Sequence, residues 1–214
     1  MVGNDVVDLA DRETAPLAMH PRFDERVFAA EELLWMRREG DPGRRRWMLW
    51  AAKESAFKAA KRLDPSSSFS PRRVLVRLDD DSTGTVSLAE RTFSVQVRLD
   101  RDVCHAVAWV DRAHPSHLAR SPIVVSGVRL VTAGEASPRL AARRFAAESV
   151  AAYLGIAAGD LELVKDGRLP RLRLHGRAAG LDVSLSHHGR FVAFACSLDR
   201  MHGKGLAATN GSEP

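Results

Sequence analysis

Hydrophobic and polar positions change period along this chain in a way that separates helices from strands. Residues 47–63, W-M-L-W-A-A-K-E-S-A-F-K-A-A-K-R-L, contain no Pro or Gly and are rich in Ala, Lys, Leu and Met. They predict a helix beyond the breaker formed by Asp41, Pro42 and Gly43. Met48, Ala52, Ser55, Ala56, Ala59 and Leu63 recur at helical spacing and form its packing stripe. The opposite face gathers Glu54, Lys58 and Lys61 with Trp47 and Trp50, so charge stands among large aromatics. An ordinary Glu-to-Lys surface pair would account for part of that pattern. Upstream, V-G-N-D-V-V-D-L reads as a strand carrying Asp5 and Asp8, and residues 23–38 as a turn and a helix beginning near Glu31. Beyond a loop at 64–68, the runs at 73–78, 92–99 and 103–110 predict strands.

The pattern then returns in shorter form. A β-branched run around Gly127 spans 123–131, an Ala-rich helix spans 139–154 and is closed by Gly155, and strands are expected in 161–174, 181–185 and 191–198. Aligning A-K-E-S with A-A-E-S pairs Lys53 with Ala147, Glu54 with Glu148 and Lys58 with Ala152; aligning Gly3 with Gly127 pairs Asp5 with Arg129. The S-L-S-H-H-G-R-F run at 184–191 has no Ser-His counterpart near residues 98–102. Each half therefore holds part of the polar equipment, which points to one site across the interface of two similar α+β subdomains with antiparallel sheets. The expected division is 1–113, a linker at 114–122, 123–200, and a Gly-, Ala- and Ser-rich disordered tail at 201–214.

Composition narrows the class. The 214 residues, 45% of them hydrophobic, suffice for the core of one large or two small domains. Cys104 and Cys196 lie in apolar strand-like runs without metal-ligand spacing and are expected as buried free thiols. There is no apolar run of transmembrane length and no signal-like start, so a cytoplasmic protein without membrane contact is expected, and a monomer because the two halves can complete a site within one chain. The formal charge of +5 calls for an acidic partner: nucleic acid, a phosphate-rich cofactor or an acidic protein surface. Only Arg44, Arg45 and Arg46 cluster tightly and no nucleic-acid-binding motif accompanies them, which makes nucleic acid the weakest of these.

The candidate chemistry is that of a bound anion and a hard metal. Mg²⁺ is usually held by one or two carboxylates together with substrate phosphates and water, and Asp5 and Glu54 could supply the carboxylates. Asp8 would join them, directly or through water, if the strand turns before it. Lys58, one helical turn beyond Glu54, could meet a phosphate oxygen or accept a proton. Ser186, His187, His188 and Gly189 read as a tight turn in which N–H groups, a hydroxyl and an imidazole converge on an anion. No acid stands at triad-like spacing to make a Ser-His hydrolase of them. Lys165 opens a basic turn, K-D-G-R-L-P, which reads equally as an ordinary charged hairpin loop.

G-N-D-V-V-D at 3–8, W-A-A-K-E-S-A-F-K at 50–58, G-R-L-P at 167–170 and S-L-S-H-H-G at 184–189 together resemble the 4′-phosphopantetheinyl transferase superfamily. The resemblance spans nearly all of residues 1–200. It implies an α+β pseudo-dimer that binds coenzyme A and Mg²⁺ between its halves. Such enzymes move the phosphopantetheine arm to a serine of an apo acyl or peptidyl carrier protein and release adenosine 3′,5′-bisphosphate. It further implies Asp5 and Glu54, with Asp8, as metal ligands, and Glu54 and Lys58 as the catalytic pair. Lys53, Arg144, Lys165, Arg168, Ser186 and His187 are implied as groups holding coenzyme A.

This chain departs from the usual two-half members in three ways. Its halves run in the reverse order, His188 stands for a small hydroxyl residue and Arg168 for a lysine, and Val7 occupies the position of an expected acid. A protein that binds coenzyme A or a carrier without transfer is the alternative reading. A basic nucleic-acid binder is the third.

Overall fold

The computed structural model describes residues 1–38, 40–79, 82–110, 122–132, 134–135, 137–167 and 169–198. The expected linker, apart from Pro122, and the expected tail lie outside the described residues.

The first strand, β1 (Val2–Asp8), is followed by α1 (Phe23–Val27), α2 (Ala30–Met36) and the long α3 (Pro42–Leu63). Then come β2 (Leu75–Leu78), β3 (Thr83–Leu88), β4 (Arg91–Asp100) and β5 (Val103–Trp109), which join β1 in a five-stranded antiparallel sheet of order β1-β5-β4-β3-β2. The sequence reading did not include β3, because T-G-T-V-S-L has a single large apolar residue turned inward.

Helix α3 begins at Pro42 rather than near Trp47. The apparent breaker is its N-terminal cap: the Asp41 carboxylate accepts the N–H groups of Gly43 and Arg44 at 2.8 and 3.2 Å, and Pro42 occupies the first helical position, where its missing N–H costs nothing. The arginine cluster therefore sits in the first turns of α3. The Arg44 guanidinium donates to the carbonyls of Asp100 and Arg101, Arg45 lies over the Trp35 ring, and Arg46 forms a two-pronged pair with Asp24 at 2.6 and 2.7 Å. The tryptophans of α3 are likewise consumed by packing, since Trp47 and Trp50 stack against Phe23, and Trp50 and Phe57 against Phe69.

Small residues let α3 lie close on the sheet. Ala51, Ala52, Ala56, Ala59 and Ala60 are buried, and β1 contributes Gly3 at the crossing. A Cβ on Gly3 would stand 2.0 Å from the Ser55 carbonyl oxygen and 2.7 Å from the Ala59 nitrogen, and neither backbone atom can move without shifting the helix. Gly3→Ala is therefore expected to destabilise the fold by about 1–3 kcal/mol, the usual range for overpacking, read as a lowered denaturation midpoint.

The rest of the chain forms β6 (Val124–Leu130), α4 (Pro138–Leu154), β7 (Leu161–Asp166), β8 (Leu169–Leu174), the short β9 (Arg177–Ala178), β10 (Asp182–His188) and β11 (Phe191–Ser197). These strands make two three-stranded antiparallel sheets, β10-β11-β6 and β7-β8-β9. Strand, helix and hairpins thus follow one another as they do earlier in the chain, in a mixed α+β fold with antiparallel sheets. Helix α4 buries Ala146, Val150 and Ala151 against Leu161, Leu172, Val183 and Phe194 and ends at Gly155 in the left-handed conformation. Cys104 and Cys196 are free and buried, and burial pushes both thiols up, Cys196 to about 12. No described helix is long and apolar enough to cross a membrane.

Side chains, not a backbone ladder, join the edge strand β1 to β10. The N–H groups of Val2, Asn4 and Asp8 donate to Asp182 Oδ2, Ser184 Oγ and His188 Nδ1 at 2.6, 3.0 and 3.1 Å, each across a separation of 180 residues. That constant offset means that β1 and β10 run side by side in the same direction, with alternate β10 side chains satisfying an otherwise open sheet edge. It also corrects the turn expected at 186–189. Ser186, His187 and His188 belong to β10, and the reversal is confined to Gly189 and Arg190.

Candidate active site

Alternation along β1 decides what each acid can do. Gly3, Asp5 and Val7 share the face against α3, and Asp5 there meets Lys58, whose Nζ donates to Asp5 Oδ1 at 2.7 Å and to the Asn4 carbonyl at 3.1 Å. Glu54 lies one helical turn before Lys58. Burial, and then the negative charge of Asp5, raise its carboxyl above the ordinary glutamate range, with Lys58 opposing. No ion pair among the described residues engages Glu54. Two carboxylates that feel each other, with a single lysine beside them, fit the modest protein share of a Mg²⁺ site. Among the described residues no group of three or more His, Cys, Asp or Glu side chains gathers as a metal cage, so remaining ligands would have to come from substrate and water.

Asp8 does not join this pair. Strand β1 stays extended through it, so its side chain falls on the opposite face from Asp5. Its carboxylate, 1% exposed, is gripped by the Arg190 guanidinium with two contacts of 2.8 Å and also accepts the N–H groups of Arg190 and Ala10. Led by the Arg190 side-chain bond and opposed by burial, these contacts hold Asp8 down at about 2. Such a depressed carboxyl adds stability above the ordinary aspartate value and loses it as pH falls through about 2. Asp8→Asn is accordingly expected to lower the melting temperature at neutral pH and to have little effect near pH 2.

Beside Lys58 opens a cleft of about 460 Å³. Helix α3 supplies Phe57, Lys58, Lys61 and Arg62 to one wall. Opposite stand Arg139 and Arg143 of α4, Lys165 at the end of β7, Leu169 and Pro170 of β8, and Ser186 and His187 of β10. The cations converge from separate elements, and few acids face them. Arg62, 6% exposed, is anchored by Asp182 Oδ1 at 3.1 Å and by the Val183 carbonyl. His187 is held below the ordinary histidine value by burial first and then by Arg139, Lys58 and His188. A partly apolar floor beneath fixed positive charge is a site for an anion with a non-polar extension.

Lys58, Lys165, Ser186 and His187 are thus brought together, with Asp5 and Glu54 at the Lys58 end. Arg168 lies outside the described residues. Two expectations are corrected. Lys53 points away from the cleft into the core, fully buried, where its Nζ donates to Glu32 Oε2 at 2.7 Å and to the carbonyls of Pro71 and Val74. One residue of helix turns it about 100° from Glu54. Arg144 lies on the exposed side of α4 and pairs with Glu148 at 3.2 Å. Arg139 and Arg143 face the cleft in its place. Their spacing of four, like that of Lys58 and Arg62, was a visible signal of a shared basic face. Asn4 and Arg190 gave no comparable signal, since the contacts of Asn4 with Ser186 and of Arg190 with Asp8 each span 182 residues.

A sequence profile of the 4′-phosphopantetheinyl transferase superfamily matches residues 1–108. The chain belongs to this superfamily. Membership supports phosphopantetheinyl transfer as the class of function, and the matched stretch contains Asp5, Glu54 and Lys58. The cleft wall built by α4, β7, β8 and β10 lies beyond it. Among solved structures the superfamily member is similar to the holo-[acyl-carrier-protein] synthase of Helicobacter pylori, described in complex with coenzyme A. The two share 20% identity over 51% of this chain and 99% of that one, with a TM-score of 0.41. No curated protein matches the chain.

Proposed function

We propose that this protein is a Mg²⁺-dependent enzyme that transfers the 4′-phosphopantetheine arm of coenzyme A to a serine of an apo acyl or peptidyl carrier protein. The observation that carries this reading is the cationic cleft with a carboxylate pair at one end. Lys61, Arg62, Arg139, Arg143 and Lys165 offer charge for the phosphates of coenzyme A, while Phe57, Leu169 and Pro170 offer apolar contact to the rest of it. Asp5 and Glu54 would hold Mg²⁺, and the ion would neutralise the pyrophosphate. The cleft would be shared by two subdomains, 1–113 and 123–200, so that a single chain completes it.

In the reaction the carrier serine oxygen forms a bond to the phosphorus bearing the pantetheine arm. The bond from that phosphorus to the bridging oxygen breaks, and adenosine 3′,5′-bisphosphate leaves with the electron pair. The serine proton passes to water at the site, next to Glu54, which would be occupied in holding the ion. Lys58, paired with Asp5, meets the charge developing on the phosphoryl oxygens. The remaining cations align the nucleotide, which for phosphoryl transfer is much of the catalysis. Calorimetry with coenzyme A, followed by detection of adenosine 3′,5′-bisphosphate after adding an apo carrier protein, tests this reading. Tight binding and metal-dependent release are expected. Absence of coenzyme A binding would refute the cleft assignment, and binding without release would leave a coenzyme A-binding protein instead of an enzyme.

A further inference from the structure

Asn4 links the two walls of the site. Its carbonyl accepts Lys58 Nζ at 3.1 Å, its N–H donates to Ser184 Oγ at 3.0 Å, and its side-chain Nδ2 donates to Ser186 Oγ at 3.0 Å. The residue is fully buried. Nδ2 also lies 3.4 Å from Nε2 of His105, and burial, reinforced by Arg98 and Lys58, keeps that ring neutral by drawing it down to about 4. A neutral ring with its proton on Nδ1 can accept the second amide hydrogen. Both hydrogens of the amide are then engaged, and its nitrogen is turned to Ser186.

This orientation leaves Asn4 Oδ1 buried with no hydrogen-bond partner. An orphaned buried acceptor is costly and calls for a reason. Ser186 supplies one. A serine hydroxyl has one proton and two lone pairs, and here a lone pair receives the Asn4 amide. No described acceptor takes the Ser186 proton, and Ser186 lines the cleft beside Lys58, Arg139 and His187.

We propose that Asn4 is a positioning residue that turns the Ser186 hydroxyl proton into the cleft, making Ser186 a donor to a phosphate oxygen of the bound substrate. The inference rests on the reading of the cleft as a coenzyme A site. It separates Asn4 from residues that merely stitch β1 to β10, because its effect on substrate must pass through Ser186.

A double-mutant cycle tests it. Coenzyme A affinity by calorimetry, KM and kcat are measured for the parent protein, Asn4→Ala, Ser186→Ala and the double variant, with thermal unfolding followed for each. Each single change is expected to weaken coenzyme A binding roughly tenfold, the size of one hydrogen bond to a charged group. KM should rise by more than kcat falls, and the double variant should bind no more weakly than Ser186→Ala alone. Asn4→Ser, which keeps a small polar group, replaces the alanine variant if that one does not fold. Losses that multiply in the double variant, or a lowered melting temperature with coenzyme A affinity unchanged, overturn the role of Asn4 while leaving the cleft assignment intact. A parent protein that does not bind coenzyme A overturns the cleft assignment itself, and this inference with it.

Discussion

Glu54→Gln is expected to lower turnover by at least about a hundredfold while raising the stability of the metal-free protein. The first effect follows from removing a charge from the Asp5 and Glu54 pair that would hold the ion. The second follows from linkage. Because burial and Asp5 raise the Glu54 carboxyl above its ordinary value, the folded chain binds more protons than the unfolded one in the range just above that value. Stability therefore falls as pH rises through this range, and above it the protein carries the cost of an ionised, half-buried carboxylate. Glutamine removes that cost. In the presence of a chelator the variant should melt at a higher temperature than its parent at neutral pH, and the gap should close below the ordinary glutamate value. A variant that is less stable at neutral pH, or that turns over normally, would remove Glu54 from the site.

Lys53→Met should cost about 3–5 kcal/mol, the usual penalty for stranding one member of a buried ion pair. Lys53 and Glu32 are 0% and 3% exposed, and together they fasten α2, α3 and β2. Glu32 accepts the N–H groups of Ala29 and Val76 as well as the lysine, and Lys53 reaches the Pro71 and Val74 carbonyls. Burial draws the Lys53 ammonium below the ordinary lysine value against the pull of Glu32, the mark of a charge kept in the core by its partners. Adding Glu32→Gln to Lys53→Met should recover part of the loss, since a neutral amide can still accept from the backbone without leaving a buried charge. Denaturant midpoints of the two variants measure this. A Lys53→Met protein as stable as its parent would show that the pair is not needed to fasten the core.

The contrast between Lys53 and Glu54 shows where sequence reasoning stopped. Spacing placed α3 and α4, and Gly155 marked a helix end, because each of these signals is local. The adjacent letters K-E also gave two charges on one helix, but only the partner Glu32, far away in the chain, decides that one of them is buried. Asp8 likewise depended on whether β1 stayed extended, which is fixed by pairing with β5. By sequence the Ser-His run reads as a tight turn between two strands. Its alternation, with Ser184 and His188 facing β1, becomes meaningful only once that parallel neighbour is known. His188, which looked like a departure from the superfamily pattern, caps the Asp8 N–H in this fold.

The central claim is that the cleft and the carboxylate pair together transfer phosphopantetheine. Intact-mass spectrometry of a panel of apo carrier proteins, incubated with this protein, coenzyme A and Mg²⁺ and again with a chelator, addresses it directly. The account predicts the addition of a single phosphopantetheine to at least one carrier, lost with chelator and lost in Glu54→Gln. Coenzyme A bound but no carrier modified across acyl and peptidyl types, or modification that persists with chelator and in Glu54→Gln, would contradict it.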